Sequence, residues 1–279
     1  MRFGRVLVVG AGQMGAGIAQ VVAASGRTVL LHDAASGAVE RGLGAIRSSL
    51  ERMTVKAGGP DPEDVLRRVV PVDALAEADL MVEAVVEDQA VKEDVFRRAD
   101  ETLSPGAVLA SNTSSIPIAS LAAVTARPER VIGMHFFNPV PVLDLVEIVR
   151  APETSEATAA EIVELARELG KTPAEVRDVP GFVSNRILMP LINEAAYALE
   201  DGVAEAEAID TIARLGFRHP LGPLALADLI GLDTCVAIME VLRRGLGDRK
   251  YEPCPLLREH VAAGRLGRKS GRGFYEYSS

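Results

Sequence analysis

The feature that most constrains the fold of this chain is a glycine-rich turn of sequence Gly-Ala-Gly-Gln-Met-Gly at residues 10–15. It closes a short apolar run typical of a buried strand and opens an amphipathic helical segment. The glycines therefore lie where the chain turns tightly and lets an anion approach bare backbone N–H groups at a helix N-terminus. The pattern predicts a βαβ unit that binds the pyrophosphate of a dinucleotide through residues Gly10, Gly12, Gln13, Met14 and Gly15.

An acidic residue, Asp33, ends the second predicted strand 18 residues after Gly15. A carboxylate at this place can accept hydrogen bonds from the adenosine ribose hydroxyls, and its charge repels the additional phosphate of NADP. NAD is therefore the expected cofactor. One alternative stays open, a glycine-rich turn in which Asp33 only caps the next helix. FAD binding uses the same fingerprint, but nothing else in the sequence resembles a flavin fold.

Short β-branched runs alternate with longer amphipathic segments from Arg5 to about Val149, which is typical of a doubly wound α/β fold. The predicted strands are Arg5–Gly10, Thr28–Asp33, Leu80–Val85, Ala107–Asn112, Arg130–Phe137 and Leu143–Val149. The predicted helices are Met14–Ser25, Ala38–Ala57, Gln89–Leu103 and Ile116–Ala122. A Gly-Gly-Pro-Asp-Pro turn at residues 58–62 is predicted to join two helices of an inserted extension.

Beyond Pro180 the β-branched runs disappear and long helical patterns take over. The predicted helices are Phe182–Glu200, Ala204–Leu215 and Leu224–Arg244, with Gly202, Gly216 and Gly222 as stops. We therefore predict a Rossmann-type sheet with an inserted helical extension over residues 1–179, followed by a smaller all-helical domain over residues 180–279.

Composition excludes several classes of function. The net charge of −9 argues against a surface built to bind nucleic acid. The N-terminus lacks the features of a signal peptide, and no apolar stretch approaches the roughly 18 residues that span a bilayer. Cys235 and Cys254 have no metal-site spacing and are expected to be reduced and structural. We expect a cytoplasmic protein with no metal and no membrane or nucleic-acid partner.

One of the four histidines, His135, stands at the end of a predicted strand, in a setting that suits a general base. Pro139 and Pro141 follow it, and the next predicted strand contains Glu147. If the two strands form an antiparallel hairpin centred on Pro141, His135 and Glu147 are equidistant from the turn and face each other. Such a carboxylate orients the imidazole and stabilises its protonated form. A buried His–Glu pair with a purely structural role remains the alternative.

Several ordered motifs resemble those of the L-3-hydroxyacyl-CoA dehydrogenase family, which includes the bacterial 3-hydroxybutyryl-CoA dehydrogenases. They are the turn at 10–15, Ser-Asn-Thr-Ser-Ser at 111–115, His-Phe-Phe-Asn-Pro-Val-Pro at 135–141, Pro-Gly-Phe-Val-Ser-Asn-Arg at 180–186, Gly-Pro-Leu at 222–224, Gly-Leu-Asp-Thr at 231–234 and Lys-Ser-Gly-Arg-Gly-Phe-Tyr at 269–275. The resemblance covers essentially the whole chain.

The resemblance implies a role for each matching residue. His135 is expected to be the catalytic base and Glu147 its partner, with Ser114 and Asn185 completing the substrate site. Further cofactor contacts are implied for a set of polar residues: Glu87, Lys92, Ser114, Asn138 and Lys269. Ser49 and Lys56, which share a helix face with Arg52, match positions beside the coenzyme A moiety of the substrate.

Interpretations that give the same residues no catalytic or binding role stay open. Ser114 and its neighbours match a polar turn that caps a helix. Glu87, Lys92 and Lys269 match ordinary surface charges, and Ser49 with Lys56 matches a solvated helix face.

The function expected from these features is the reversible oxidation of an (S)-3-hydroxyacyl-CoA, such as 3-hydroxybutyryl-CoA, in fatty acid metabolism, with NAD as the hydride acceptor. The helical domain is expected to bind substrate and to form a homodimer, because its apolar helices exceed what one small core requires and relatives pair through this domain. Two alternatives remain, namely a sugar-acid dehydrogenase similar to gulonate 3-dehydrogenase and a non-catalytic NAD-binding protein.

Overall fold

The structure, a computed structural model, describes residues 2–57 and 60–277, with the side chains of residues 54–57 excepted. The β-branched runs form strands β1 (Arg5–Val9), β2 (Thr28–His32), β3 (Val69–Pro71), β4 (Leu80–Glu83), β5 (Val108–Ser111), β6 (Val131–Phe136), β7 (Leu145–Arg150) and β8 (Thr172–Arg177). These strands form one sheet in the order β3-β2-β1-β4-β5-β6-β7-β8. All neighbours run parallel except β6 and β7. The doubly wound fold predicted from the sequence is confirmed.

This topology brings the functional segments together at one edge of the sheet. The central strands β1, β4, β5 and β6 are buried along almost their whole length, as parallel strands covered on both faces must be. Their carboxyl ends meet at the same edge, where open α/β sheets bind ligands. The glycine turn, the segment after Glu83, the polar loop after Ser111 and His135 all lie at that edge.

Six helices connect the strands within the described part of the first unit: α1 (Gln13–Ala24), α2 (Ala38–Ala57), α3 (Pro62–Leu66), α4 (Gln89–Thr102), α5 (Ile118–Ala122) and α6 (Glu156–Glu168). Asp61 caps α3 by accepting a hydrogen bond from the Glu63 amide. Of the predicted turn at 58–62, residues 58 and 59 lie outside the described residues.

The prediction from sequence missed β3, β8 and α6, whereas α3 is the second helix expected after the turn at residues 58–62. Strand β3 has only three residues, and β8 is an edge strand that contains Pro173 and lacks regular apolar alternation. Helix α6 is capped by Ser155, which accepts a hydrogen bond from the Thr158 amide, and it packs apolar residues against the sheet. The predicted strands are otherwise correct in place and differ from the observed ones by one or two residues at their ends.

By contacts the chain divides into two compact units, residues 1–179 and residues 180–279. The second unit contains helices α7 (Ser184–Glu200), α8 (Ala206–Gly216), α9 (Pro223–Ile230), α10 (Leu232–Leu246) and α11 (Pro255–Ala262). The prediction of one helix over Leu224–Arg244 is wrong, because Gly231 has a φ of 103° and separates α9 from α10. Helical backbone cannot continue through a residue with positive φ. None of the described helices is long and apolar enough to cross a membrane.

Two buried carboxylates hold the C-terminal segment of the second unit in place. Asp228 accepts hydrogen bonds from the amides of Phe274 and Tyr275 and from the Tyr277 hydroxyl, each at 3.0 Å. Asp210 accepts hydrogen bonds from the first amides of α9 and from the Tyr275 hydroxyl at 2.9 Å. Burial raises the pKa of Tyr277 to about 12, and its hydrogen bond to Asp228 adds to the effect.

Candidate active site

The three glycines of the turn at residues 10–15 serve different purposes. Gly10 has a φ of 104°, and a Cβ there would lie 2.4 Å from the carbonyl oxygen of Ala84. A Cβ at Gly15 would lie 1.8 Å from the carbonyl oxygen of Gly10. A Cβ at Gly12 would meet nothing within 4 Å, and the backbone there, at φ −69° and ψ −170°, suits any residue. Packing therefore requires Gly10 and Gly15, whereas Gly12 leaves space in front of the turn.

Helix α1 begins at this open space without a side-chain cap. Gly12 and Gln13 are exposed, and Met14 is half-buried. The first amides of the helix therefore present donors and the positive end of the helix dipole to the space that Gly12 leaves open. This arrangement fits a pyrophosphate group.

Asp33 lies beside the turn and is tied to it. Its Oδ2 accepts a hydrogen bond from the Ala11 amide at 2.7 Å, and its Oδ1 accepts one from the Ala35 amide at 2.8 Å. Helix α2 begins only at Ala38. The alternative in which Asp33 merely caps the next helix is therefore wrong. A carboxylate next to the glycine turn suits a ribose, so the residues present fit a dinucleotide.

His135 and Glu147 form the hairpin pair expected from the sequence. Strands β6 and β7 are antiparallel, and the two residues are register partners. Glu147 Oε2 lies 2.8 Å from His135 Nδ1, with 8% of His135 and 3% of Glu147 exposed. Nδ1 carries the hydrogen in this contact, because an ionised carboxylate only accepts. The predicted register is confirmed, while the catalytic role remains a prediction.

The loop of residues 113–115, here called the Ser114 loop, is held by one carboxylate oxygen. Glu87 Oε1 accepts hydrogen bonds from Thr113 Oγ1 at 2.6 Å, the Ser114 amide at 3.0 Å, the Ser115 amide at 3.1 Å and Ser115 Oγ at 2.9 Å. Burial favours the neutral acid, but the Lys92 charge and these hydrogen bonds outweigh it and lower the pKa of Glu87 below its ordinary value.

Lys92, predicted to contact the cofactor, is only 1% exposed and lies between two carboxylates. Its Nζ is 2.6 Å from Glu83 Oε1 and 3.2 Å from Glu87 Oε2. The alternative of an ordinary surface charge is therefore excluded for Lys92. The prediction from sequence missed Glu83, although a carboxylate inside the predicted apolar strand Leu80–Val85 was a usable signal.

From the sequence, Asn112 was interpreted only as part of a polar turn that caps the next helix. Its Oδ1 accepts a hydrogen bond from the Phe136 amide at 2.9 Å, which joins the residue before the Ser114 loop to the end of the strand that carries His135. The two segments are therefore held side by side at the sheet edge.

A buried lysine stabilises the turn between β6 and β7, which carries the exposed Asn138. Lys171 Nζ donates hydrogen bonds to the carbonyl oxygens of Val140 at 2.7 Å and Leu143 at 2.8 Å. Burial lowers the pKa of Lys171, and the nearby charge of Asp144 opposes that change. Prediction from sequence had no means of finding Lys171, because it follows a helix 31 residues beyond Val140.

The remaining predicted residues lie elsewhere. Asn185 is buried in the first turn of α7 in the second unit. Lys269, in the same unit, is half-exposed and pairs with Asp233 at 2.6 Å. Ser49 is half-buried on α2, and the side chain of Lys56 on the same helix lies outside the described residues.

Comparison with known families matches almost the whole chain. A family model described as "3-hydroxyacyl-CoA dehydrogenase, NAD binding domain" matches residues 5–179, and one described as "3-hydroxyacyl-CoA dehydrogenase, C-terminal domain" matches residues 181–277. A relative named "Probable 3-hydroxybutyryl-CoA dehydrogenase" from Deinococcus radiodurans is 55% identical, over 99% of this chain and 100% of that protein. The 3-hydroxybutyryl-CoA dehydrogenase of Bradyrhizobium diazoefficiens is 49% identical, over 98% of this chain and 95% of that protein.

A solved structure gives the same result in three dimensions. The crystal structure of an (S)-3-hydroxybutyryl-CoA dehydrogenase from Ralstonia eutropha matches with a TM-score of 0.96 and 48% identity, over 99% of this chain and 100% of that chain. The likeness extends through both units of the chain.

Proposed function

This chain belongs to the 3-hydroxyacyl-CoA dehydrogenase family, and on that premise we propose that it interconverts (S)-3-hydroxybutyryl-CoA and acetoacetyl-CoA. It is an NAD-dependent oxidoreductase acting on 3-hydroxyacyl-CoA. The short acyl chain is the finer part of the proposal and is supported by the names of relatives at 44–55% identity.

The cofactor site is assigned to residues of the glycine turn and its surroundings. The amides at the start of α1 would hold the pyrophosphate, and Asp33 would accept hydrogen bonds from the ribose. Glu87, Lys92, Asn138, Ser114 and Lys269 complete the proposed set of cofactor contacts. NAD, when bound, accepts the hydride from the carbon that bears the substrate hydroxyl.

His135 is proposed to act as the general base. Because Nδ1 donates its hydrogen to Glu147, Nε2 is the nitrogen that takes the proton of the substrate hydroxyl. The buried carboxylate of Glu147 stabilises the imidazolium that results and keeps the ring oriented. In the reduction direction the protonated His135 returns the proton to the forming hydroxyl oxygen.

Ser114 and Asn185 are proposed to position the substrate. The Ser114 hydroxyl would donate a hydrogen bond to the substrate oxygen, and Asn185 would offer its amide to the same region of the substrate or to the thioester. Ser49 and Lys56 on α2 are proposed to contact the coenzyme A moiety, where a lysine favours phosphate.

The observation that carries this proposal is the buried His135–Glu147 pair at the same sheet edge as the dinucleotide turn. We expect His135→Gln to lower kcat/KM for acetoacetyl-CoA and NADH by about 10²–10⁴. NADH affinity, measured by fluorescence titration, should remain close to that of the unaltered protein. Turnover near the normal rate in a folded His135→Gln variant would refute the assignment.

A sugar acid is the competing substrate class. The relatives that match nearly the full length of this chain are named as 3-hydroxybutyryl-CoA dehydrogenases. Their names favour a coenzyme A thioester over a sugar acid as the substrate. Parallel assays with gulonate and with 3-ketoacyl-CoA of increasing chain length test both the class and the acyl preference. Higher kcat/KM for gulonate would overturn the proposal.

A homodimer through the second unit is also proposed. Leu215 in α8 is 76% exposed, Phe217 directly after α8 is 63% exposed, and Ile187 in α7 is 66% exposed. Large apolar side chains that stay exposed in this way are typical of residues that a protein interface covers. We expect a mass near twice 29.6 kDa by light scattering, and a monomer after Leu215→Glu. A monomeric unaltered protein would contradict the proposal.

The cytoplasm is the proposed location. Cys235 and Cys254 are both buried, free thiols, which suits a reducing compartment. Fractionation of cells that express the tagged chain tests this, and recovery outside the cytoplasmic fraction would contradict it.

A further inference from the structure

One carboxylate at the functional edge of the sheet has no part in the proposed reaction. Glu83, the last residue of β4, is 0% exposed. Its Oε1 accepts hydrogen bonds from Lys92 Nζ and from the Val85 amide, both at 2.6 Å. Its Oε2 accepts one from Ser111 Oγ at 2.7 Å. Both oxygens are therefore engaged.

Two hydrogen-bonded arms lead from Glu83 to the Ser114 loop. The first passes through Lys92 to Glu87, whose other oxygen accepts from the Ser114 and Ser115 amides. The second passes through Ser111, whose Oγ accepts a hydrogen bond from the Thr113 amide at 3.1 Å. Both arms start at one buried carboxylate and end within three consecutive residues.

The charges make Glu83 the fixed point of this network. A buried ammonium is tolerated only beside compensating carboxylates. Glu83 is closer to Lys92 than Glu87 is, and it is fully buried, whereas Glu87 is 39% exposed. Glu83 therefore sets the position of Lys92, and Lys92 restrains the carboxylate that holds the loop.

We propose that Glu83 is a positioning residue that holds the Ser114 loop in place through the Lys92–Glu87 arm and the Ser111 arm. Its importance for the reaction rests on the proposed function, in which the Ser114 loop contacts substrate and cofactor. Buried networks of this kind are effective when every group is satisfied, because a single arrangement is then strongly preferred.

The test is Glu83→Gln, which keeps the shape of the side chain and removes its charge. The matched control is Glu168→Gln, because Glu168 pairs with the buried Arg27 and takes part in neither arm. We expect amide exchange at residues 113–116 of the cofactor-free protein to be faster by about tenfold or more in Glu83→Gln and unchanged in the control. We also expect the Kd for NADH to rise by about fivefold or more.

Irreversible loss of folded protein lowers the number of binding sites and leaves this Kd unchanged, whereas reversible unfolding raises the apparent Kd only by the inverse of the folded fraction, which circular dichroism measures. If Glu83→Gln does not fold, Ser111→Ala cuts one arm only and should produce a smaller change in the same direction. Unchanged exchange and unchanged Kd in a folded variant overturn the proposal, as do equal changes in the control. If the unaltered protein does not reduce acetoacetyl-CoA, the proposed function fails. The amide exchange rates and the Kd for NADH still decide the role of Glu83 in that case.

Discussion

Replacing Glu147 by Gln isolates the contribution of one buried charge to the proposed chemistry. Gln preserves the volume of the side chain and can still accept the hydrogen bond from His135 Nδ1, which is now 2.8 Å from Oε2. Only the negative charge that stabilises the imidazolium is lost. Because Glu147 is 3% exposed, solvent screens this charge little.

The magnitude follows from the kind of bond that is weakened. A hydrogen bond to a charged group contributes about 1.5–3 kcal/mol. Each 1.36 kcal/mol corresponds to about a factor of ten in rate, so kcat/KM should fall about 10- to 150-fold. The fall should be smaller than for His135→Gln, because Gln at position 147 leaves the base in place.

The assay is the decrease of NADH absorbance with acetoacetyl-CoA, with NADH affinity measured separately. Glu175→Gln on the neighbouring β8 is a matched control, since it is the same change at an exposed residue paired with Arg150. The control should retain its activity. A fall of less than about twofold in Glu147→Gln would refute the view that this charge stabilises the protonated base.

Three further outcomes are expected. The Gly12→Ala variant should melt at the same temperature as the unaltered protein, because the added Cβ meets nothing within 4 Å. The Kd of this variant for NADH should rise about tenfold or more, because the Cβ occupies the space proposed for the pyrophosphate. Burial raises the pKa of the Asp178 carboxyl above its ordinary value of 3.8, although the carboxylate accepts a hydrogen bond from the Ala119 amide. The stabilising contribution of the neutral acid is therefore present below pH 3.8 and is lost as the pH rises through the pKa of the folded state. Asp178→Asn should therefore be more stable than the unaltered protein at neutral pH in thermal melts, with no such gain in acid. Asp228→Ala removes the acceptor of three donors of the C-terminal segment, and urea denaturation should show a loss of at least about 2 kcal/mol.

Local pattern was enough to predict the parts of this protein that depend on neighbours along the chain. The strand–glycine–helix pattern around Gly10 predicts its own conformation, because a tight turn needs a positive φ there and a helix must follow. The register of His135 with Glu147 followed from the turn at Pro141, since a hairpin pairs residues that are equidistant from its centre. Domain-level alternation of strand and helix patterns likewise predicted the sheet.

Tertiary structure alone decided which polar residues meet. Ser111 is 28 residues from Glu83, and Thr113 is 26 residues from Glu87, so no local pattern relates them. Lys92 looks like an ordinary helix-surface lysine in the sequence, and it becomes buried only because α4 packs its first turns over the end of β4. The sequence therefore determined the glycine turn and the His135–Glu147 hairpin, which arise from backbone geometry over a few residues. The buried charge network behind the Ser114 loop depends on packing between distant segments, and only the folded chain shows it.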